Sequence, residues 1–285
     1  MGFVDDVRRA VIRIFQFLAP ARRERQELPT TPLSRPLQDL LTRRYPHYRR
    51  LPAAVRAEFN RQLQVFMAEK PVTGVEARVT REIRLFTAAS AVTLTAGWPG
   101  YTWDQVTEVL IYPKHFDEHY RFKELPCGDD RGGQGSVRAA GLAHPWGVVI
   151  LARPELLRSF DARAGGYHVG IHEFAHLIDL ARSQFDGVPS FLSDARVAEW
   201  NLILAREKER LLRDDSVLDP YGLSHPTEFF AVAVEAFYQK PEAVAASHRE
   251  LYTFLSTYFQ QDPAAWAQGT VPTSGSQARQ HVAEP

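Results

Sequence analysis

The chain has 285 residues, 45% hydrophobic and 24% charged, with 34 Lys+Arg against 34 Asp+Glu. This is the composition of a folded protein of one or two domains, and its neutrality excludes a globally basic nucleic-acid binder. A single cysteine, Cys127, excludes a disulfide framework, no apolar run approaches 18 residues, and a cytoplasmic protein without a membrane span is expected.

Charge is uneven along the chain. Residues 1–65 carry thirteen Arg and no Lys against six Asp+Glu, which reads as solvated helix faces before it reads as a surface for an anionic partner. Residues 3–18 have helical apolar spacing through Phe3, Val7, Val11, Ile14, Phe15 and Leu18. Arg13, Gln16, Asp5 and Asp6 argue against a secretory signal there. Four prolines in 19–36 mark a linker, so 1–36 is read as a basic N-terminal segment and Pro-rich linker.

Helices are predicted over 37–44, 52–69 and 76–96. The apolar run 109–112, closed by Pro113, predicts a strand. Residues 114–144 form a long excursion with room for a hairpin. The glycines at 132–135 have no Gly-Lys-Ser/Thr after them and make a turn rather than a phosphate loop. A second strand is predicted over 147–151, then a helical turn at 154–160 and helices over 193–213, 226–239 and 242–259. Residues 267–285 are rich in Gln, Gly, Ser, Thr and Pro and read as a disordered tail, which leaves 37–266 as the main domain.

The chemistry concentrates at 172–176, which read His172-Glu173-Phe174-Ala175-His176. On a helix, positions i and i+4 lie on one face about 6 Å apart along the axis, so two imidazoles can converge on one metal ion. Glu173 can then address an activated water rather than the metal, the zinc hydrolase arrangement. Apolar residues at 171, 174, 175, 177 and 178 predict a buried helix. No Gly-x-x-His follows His176, so a third ligand is expected from an acid on a later helix. Glu228 is the best candidate, in the first turn of an apolar helix that opens with Pro226. Glu235 on the same face, His168 one turn before His172, and His225 are the rivals.

These residues resemble the Mlc titration factor A family of zinc metallopeptidases, whose catalytic domain is similar to that of anthrax lethal factor. The matching landmarks are 109–113, 146–151, the pentapeptide with Asp179, 187–189, 219–221, 226–231 with Glu235, and 259–263. The resemblance covers about residues 37–263. It implies one Zn2+ per chain held by His172, His176 and Glu228, with Glu173 as general base and Tyr221 assisting the transition state. It also implies peptide hydrolysis of aminopeptidase type over a limited substrate range, and a tie to the regulation of sugar uptake. The alternative it carries is a regulatory binding protein that sequesters a transcriptional repressor, with hydrolysis secondary.

Within that picture Asp179, one turn after His176, is expected to hold a ligand imidazole from behind, with Glu235 in a similar supporting place. The strand through Val148, Val149 and Ile150 is expected at a sheet edge, pairing with an extended peptide. The expected fold is α+β: a mostly helical zincin-type domain with a small mixed sheet and the metal site between two helices.

Overall fold

The computed structural model describes residues 32–116, 139–161, 166–179 and 186–267. The stretch 3–18, most of the linker, Cys127, the glycines at 132–135 and the tail from 268 lie outside the described residues.

Three helices come first: α1 (Arg35–Arg44), α2 (Pro46–Arg50) and α3 (Ala53–Glu69). A short strand β1 (Val72–Gly74) follows, then α4 (Arg81–Thr95). The sequence predicts one helix over 76–96; the first part of that stretch is not helical. The Thr80 side chain accepts from the Ile83 N–H and caps the helix there, while Glu76 takes a left-handed conformation (φ 53°). From Ile83 to Thr95 only Arg84 is exposed, so α4 is a core helix.

The sheet is completed by β2 (Glu108–Tyr112), β3 (Gly141–Ala143) and β4 (Val148–Ala152). Its order is β1-β2-β4-β3, with β1–β2 and β2–β4 parallel and β3–β4 antiparallel. This corrects the expectation for Val148, Val149 and Ile150. Their strand is interior, paired with β2 on one side and β3 on the other, so its backbone groups have no room for an added peptide strand. Val149 and Leu151 point into the main core, while Val148 and Ile150 pack with Tyr112 and Phe116 on the opposite face. The edge on this side belongs to β3, which lies in the excursion where a hairpin had room.

Past the sheet come α5 (Arg153–Ser159), α6 (Val169–Asp179) and the long α7 (Asp194–Leu212). After a 3-10 turn (Pro220–Leu223) the chain forms α8 (Pro226–Gln239), α9 (Pro241–Ser247), α10 (Arg249–Phe259) and α11 (Pro263–Ala267). The single helix expected over 242–259 is two, broken at His248 (φ −129°, ψ 56°).

All eleven residues of α6 are buried. Its Phe174 sits edge-on to Phe66 of α3 at 5.7 Å and to Trp103 at 5.2 Å, contacts that anchor the helix from behind. Against α4 the approach is closer still. A Cβ placed on Gly170 would lie 2.5 Å from Cβ of Ser90, so only glycine lets the two helices meet at this depth.

That contact opposes helix propensity, which favours alanine over glycine by about 1 kcal/mol. Overpacking a close-packed core typically costs about 1–3 kcal/mol and should win. Gly170→Ala is therefore expected to lower unfolding stability in urea. A variant as stable as the wild type would mean that α4 and α6 can part at no cost.

Candidate metal centre

The motif helix is positioned at its start by His168. Its Nδ1 accepts from the Ile171 N–H at 3.2 Å, a capping bond, and its own N–H donates to Glu235 Oε1 at 2.6 Å. The ring is fully buried against Tyr45 and Phe160, and burial lowers its pKa to about 3, so it is neutral. His168 is thus a helix cap with its ring in the aromatic core. His225 also caps: its Nδ1 accepts from the Thr227 N–H at the start of α8.

The remaining candidates converge. His172 Nε2 lies 3.0 Å from Glu228 Oε2, and His176 Nε2 lies 3.5 Å from the same oxygen. The two imidazole rings stand 5.0 Å apart at 82°. Among the described residues, His172, His176 and Glu228 form the group whose donor atoms all lie within 4.8 Å of one another. Two donors about 2.0–2.1 Å from one tetrahedral ion stand about 3.3 Å apart, so these separations suit zinc. Two imidazoles and one carboxylate are also the ligand chemistry of a hydrolytic zinc site, which keeps its fourth position open.

Glu235, two turns after Glu228 on α8, approaches His172 from the other side. Its Oε2 is 3.3 Å from His172 Nδ1 while its Oε1 holds the His168 N–H. Such a bond keeps a proton on Nδ1 and turns Nε2 toward the donor cluster. Burial works against charge on His172, but Glu228 and Glu235 outweigh it and raise its pKa to about 10. Burial likewise opposes ionisation of Glu228, and the two imidazoles hold it well below the ordinary carboxylate range. Imidazole binds a metal only when neutral, so metal uptake displaces that proton.

Glu173 is 6% exposed, and burial raises its pKa, with the two imidazoles pulling the other way. It lies under β3. A Cβ on Gly141 would fall 2.7 Å from the Glu173 carboxyl carbon, so the strand backbone comes directly onto the carboxylate. No motif in the sequence marks Gly141; only the tertiary contact reveals it. Tyr221 sits in the 3-10 turn, 55% exposed, its ring 6.2 Å from that of His172. Partial burial, then Glu228 and Glu173, keep its hydroxyl protonated by raising its pKa.

Asp179 does not do what its spacing suggests. Its Oδ2 accepts from the Gly187 N–H at 2.8 Å, and its buried Oδ1 makes no hydrogen bond, so neither oxygen holds an imidazole. It ties down the segment after α6 instead. The Gly187 carbonyl accepts from Trp200 Nε1 at 2.7 Å, and Gly187 itself abuts Pro226 at the start of the Glu228 helix. The imidazole-orienting bond seen here is that of Glu235 on His172.

Comparison with known sequences covers the same ground. The family described as glucose-regulated metallo-peptidase M90 matches residues 19–260. An uncharacterized protein of Synechocystis is 31% identical over 247 residues, 85% of this chain and 89% of that protein. Mlc titration factor A of Pectobacterium atrosepticum is 33% identical over 171 residues, and that of Escherichia coli 33% over 177. These two matches take in 57% and 58% of this chain, and they span a little under two thirds of either factor, 62% and 63%.

Two predictions follow from the geometry. Glu228→Ala should abolish tight zinc binding, whereas Glu235→Gln should weaken it about 10- to 100-fold, the usual scale for a residue orienting a ligand. Zinc titration against a competing chelator separates the two, and a Glu228→Ala chain that keeps a tight zinc would move the third ligand elsewhere. Asp179 predicts a pH dependence of stability. Burial and the adjacent Asp186 raise its pKa from 3.8 to about 7, against the opposing pull of the Gly187 and Val188 N–H groups. The folded chain then holds a proton that the unfolded chain releases, and this group's contribution to stability falls as pH rises from about 4 to 7. Asp179→Asn should flatten that part of a urea stability–pH curve; an unchanged slope would place the titration in another group.

Proposed function

Because the chain belongs to the glucose-regulated metallo-peptidase M90 family, we propose that it is a zinc-dependent peptidase, aminopeptidase-like and limited in substrate range. The supporting observation is the convergence of His172, His176 and Glu228 on one point with Glu173 buried beside them.

His172, His176 and Glu228 would hold one zinc ion per chain, which supplies a Lewis acid and brings the pKa of water toward 7. Glu173 takes a proton on its carboxylate as the water oxygen attacks the scissile carbonyl carbon. It then delivers that proton to the nitrogen of the leaving amine as the C–N bond breaks. The raised pKa of Glu173 suits a group that must both accept and give up a proton. The Tyr221 hydroxyl donates to the oxyanion as it forms, a contribution typically worth about 3 kcal/mol. Its exposure leaves it able to meet a substrate from the solvent side.

The peptide lies along β3. Among the described residues no strand pairs with the outer edge of Gly141–Ala143, which starts two residues past the Ala139–Phe116 bridge, and Gly141 borders Glu173. An extended substrate paired there carries its scissile bond past the base, recognised mainly through its backbone.

A second reading rests on the relatives named Mlc titration factor A. In it the chain works in the cytoplasm by sequestering a transcriptional repressor and so regulates sugar uptake, with hydrolysis secondary. Such a protein would keep its effect on the partner when Glu173 is neutralised; a peptidase would not.

The deciding measurement is metal content by mass spectrometry beside hydrolysis of a panel of aminoacyl and short-peptide chromogenic substrates. Wild type, Glu173→Gln and Gly141→Ala should each carry one zinc. Glu173→Gln should lose at least 100-fold in kcat. Gly141→Ala should lose part of the activity by displacing the Glu173 carboxylate. Equal activity in wild type and Glu173→Gln would sink the mechanism.

A further inference from the structure

Away from the metal centre the chain buries a second charged cluster. Glu207 of α7 is 5% exposed and His248, at the break between α9 and α10, is 1% exposed. His248 Nδ1 lies 2.5 Å from Glu207 Oε2. On the far side of the ring, Nε2 accepts from the Val217 N–H at 3.2 Å, with Ser216 Oγ at 3.4 Å. The Val217 N–H needs a lone pair on Nε2, which leaves the ring proton on Nδ1 toward Glu207, with Arg210 Nη1 3.0 Å from the same nitrogen. Arg210 completes the group. It donates to the Ser247 carbonyl, lies 3.8 Å from Glu207 Oε1 and reaches Asp215 at 3.5 Å.

A buried carboxylate and imidazole are poor sources of net stability, since desolvation offsets most of their attraction. Their arrangement has one directional consequence. Val217 is gripped on both sides of its backbone: its N–H by His248, and its carbonyl by Lys240 Nζ at 3.4 Å. Two residues on, Asp219 Oδ1 accepts from the Tyr221 N–H at 2.9 Å, and Ser224 Oγ donates to the Tyr221 carbonyl at 2.7 Å. The segment from Val217 to Tyr221 is therefore anchored at both ends, by His248 and Lys240 at Val217 and by Asp219 and Ser224 at Tyr221. The Tyr221 side chain is more than half exposed and is not gripped by the core. Its ring stands 6.2 Å from that of His172.

We propose that His248, supported by Glu207, is a positioning residue for Tyr221, acting through the Val217 peptide to hold the 216–224 segment over the metal centre. This rests on the peptidase reading given above. A loosened segment misplaces a transition-state donor by a fraction of an ångström to an ångström, which lowers kcat while leaving ground-state binding largely intact.

The test uses the full zinc-loaded chain and two variants. His248→Gln removes the ring. His248→Leu/Glu207→Leu replaces the buried pair with apolar groups, an exchange that is often neutral for folding. Amide hydrogen exchange, read by mass spectrometry, should rise about tenfold in peptides from 214–224 and stay unchanged elsewhere. Zinc content should be unaltered, kcat should fall about 10- to 100-fold and KM should stay within about twofold. In a Tyr221→Phe background the same changes should cost less than about twofold more, because the group they position is already gone. Unchanged exchange over 214–224 overturns the proposal. So does a kcat loss that persists in full beside Tyr221→Phe, which a general structural weakening would give. Exchange is read without substrate, so a chain that hydrolyses nothing would overturn the peptidase reading while the exchange data still decide the clamp.

Discussion

His172 meets Glu228 across the interface of α6 and α8, and the rest of the molecule is arranged around that approach of 3.0 Å. A charged pair in a largely buried interface is tolerated only when its remaining hydrogen-bonding capacity is met. Glu235 meets it on the other face of the same ring. Two periodicities make this possible. The spacing of four on α6 stacks His172 over His176, and the spacing of seven on α8 puts Glu228 and Glu235 on one face two turns apart. The ring is thus held at both nitrogens by one neighbouring helix, which sets its rotation as well as its position.

Holding α6 so deep requires small residues where other elements come close. Gly170 admits Ser90 of α4 from one side, and Gly141 admits the Glu173 carboxylate beneath β3 from the other. Phe174 fills the space behind the motif against Phe66 and Trp103. The helix is therefore clamped between a helical layer and a sheet edge, and the Glu173 carboxyl has a raised pKa from the same burial. Tyr221 stands outside this packing, its side chain more than half exposed and its N–H bonded to Asp219 Oδ1. Among the described residues no helix is long and apolar enough to cross a membrane.

Much of the helical plan was legible because apolar periodicity survives when a helix packs on one face or is buried outright. The predicted 226–239 coincides with α8, and 193–213 differs from α7 by one residue at each end. Failures came where a tertiary contact overrides local pattern. Three-residue β1 and β3 are too short to carry a period. The run 242–259 reads as one helix, yet His248 turns its ring toward Glu207 and Val217 and breaks it. An apolar run such as 147–151 looks the same at a sheet edge or inside, since burial on both faces does not say how many neighbours the backbone has.

The sequence by itself determined the local chemistry: two imidazoles one turn apart, a carboxylate between them in the pentapeptide, and an acid in the first turn of a later apolar helix. Covalent spacing on a helix dictates those relations before anything packs. It also supplied the α+β class and the buried character of α6. Tertiary structure alone decided among the rivals, assigning His168 and His225 to caps and Asp179 to Gly187, and bringing Glu228 to the imidazoles with Glu235 behind them. Those outcomes depend on distances between residues tens of positions apart, set by how helices and strands close-pack, and no local pattern encodes them.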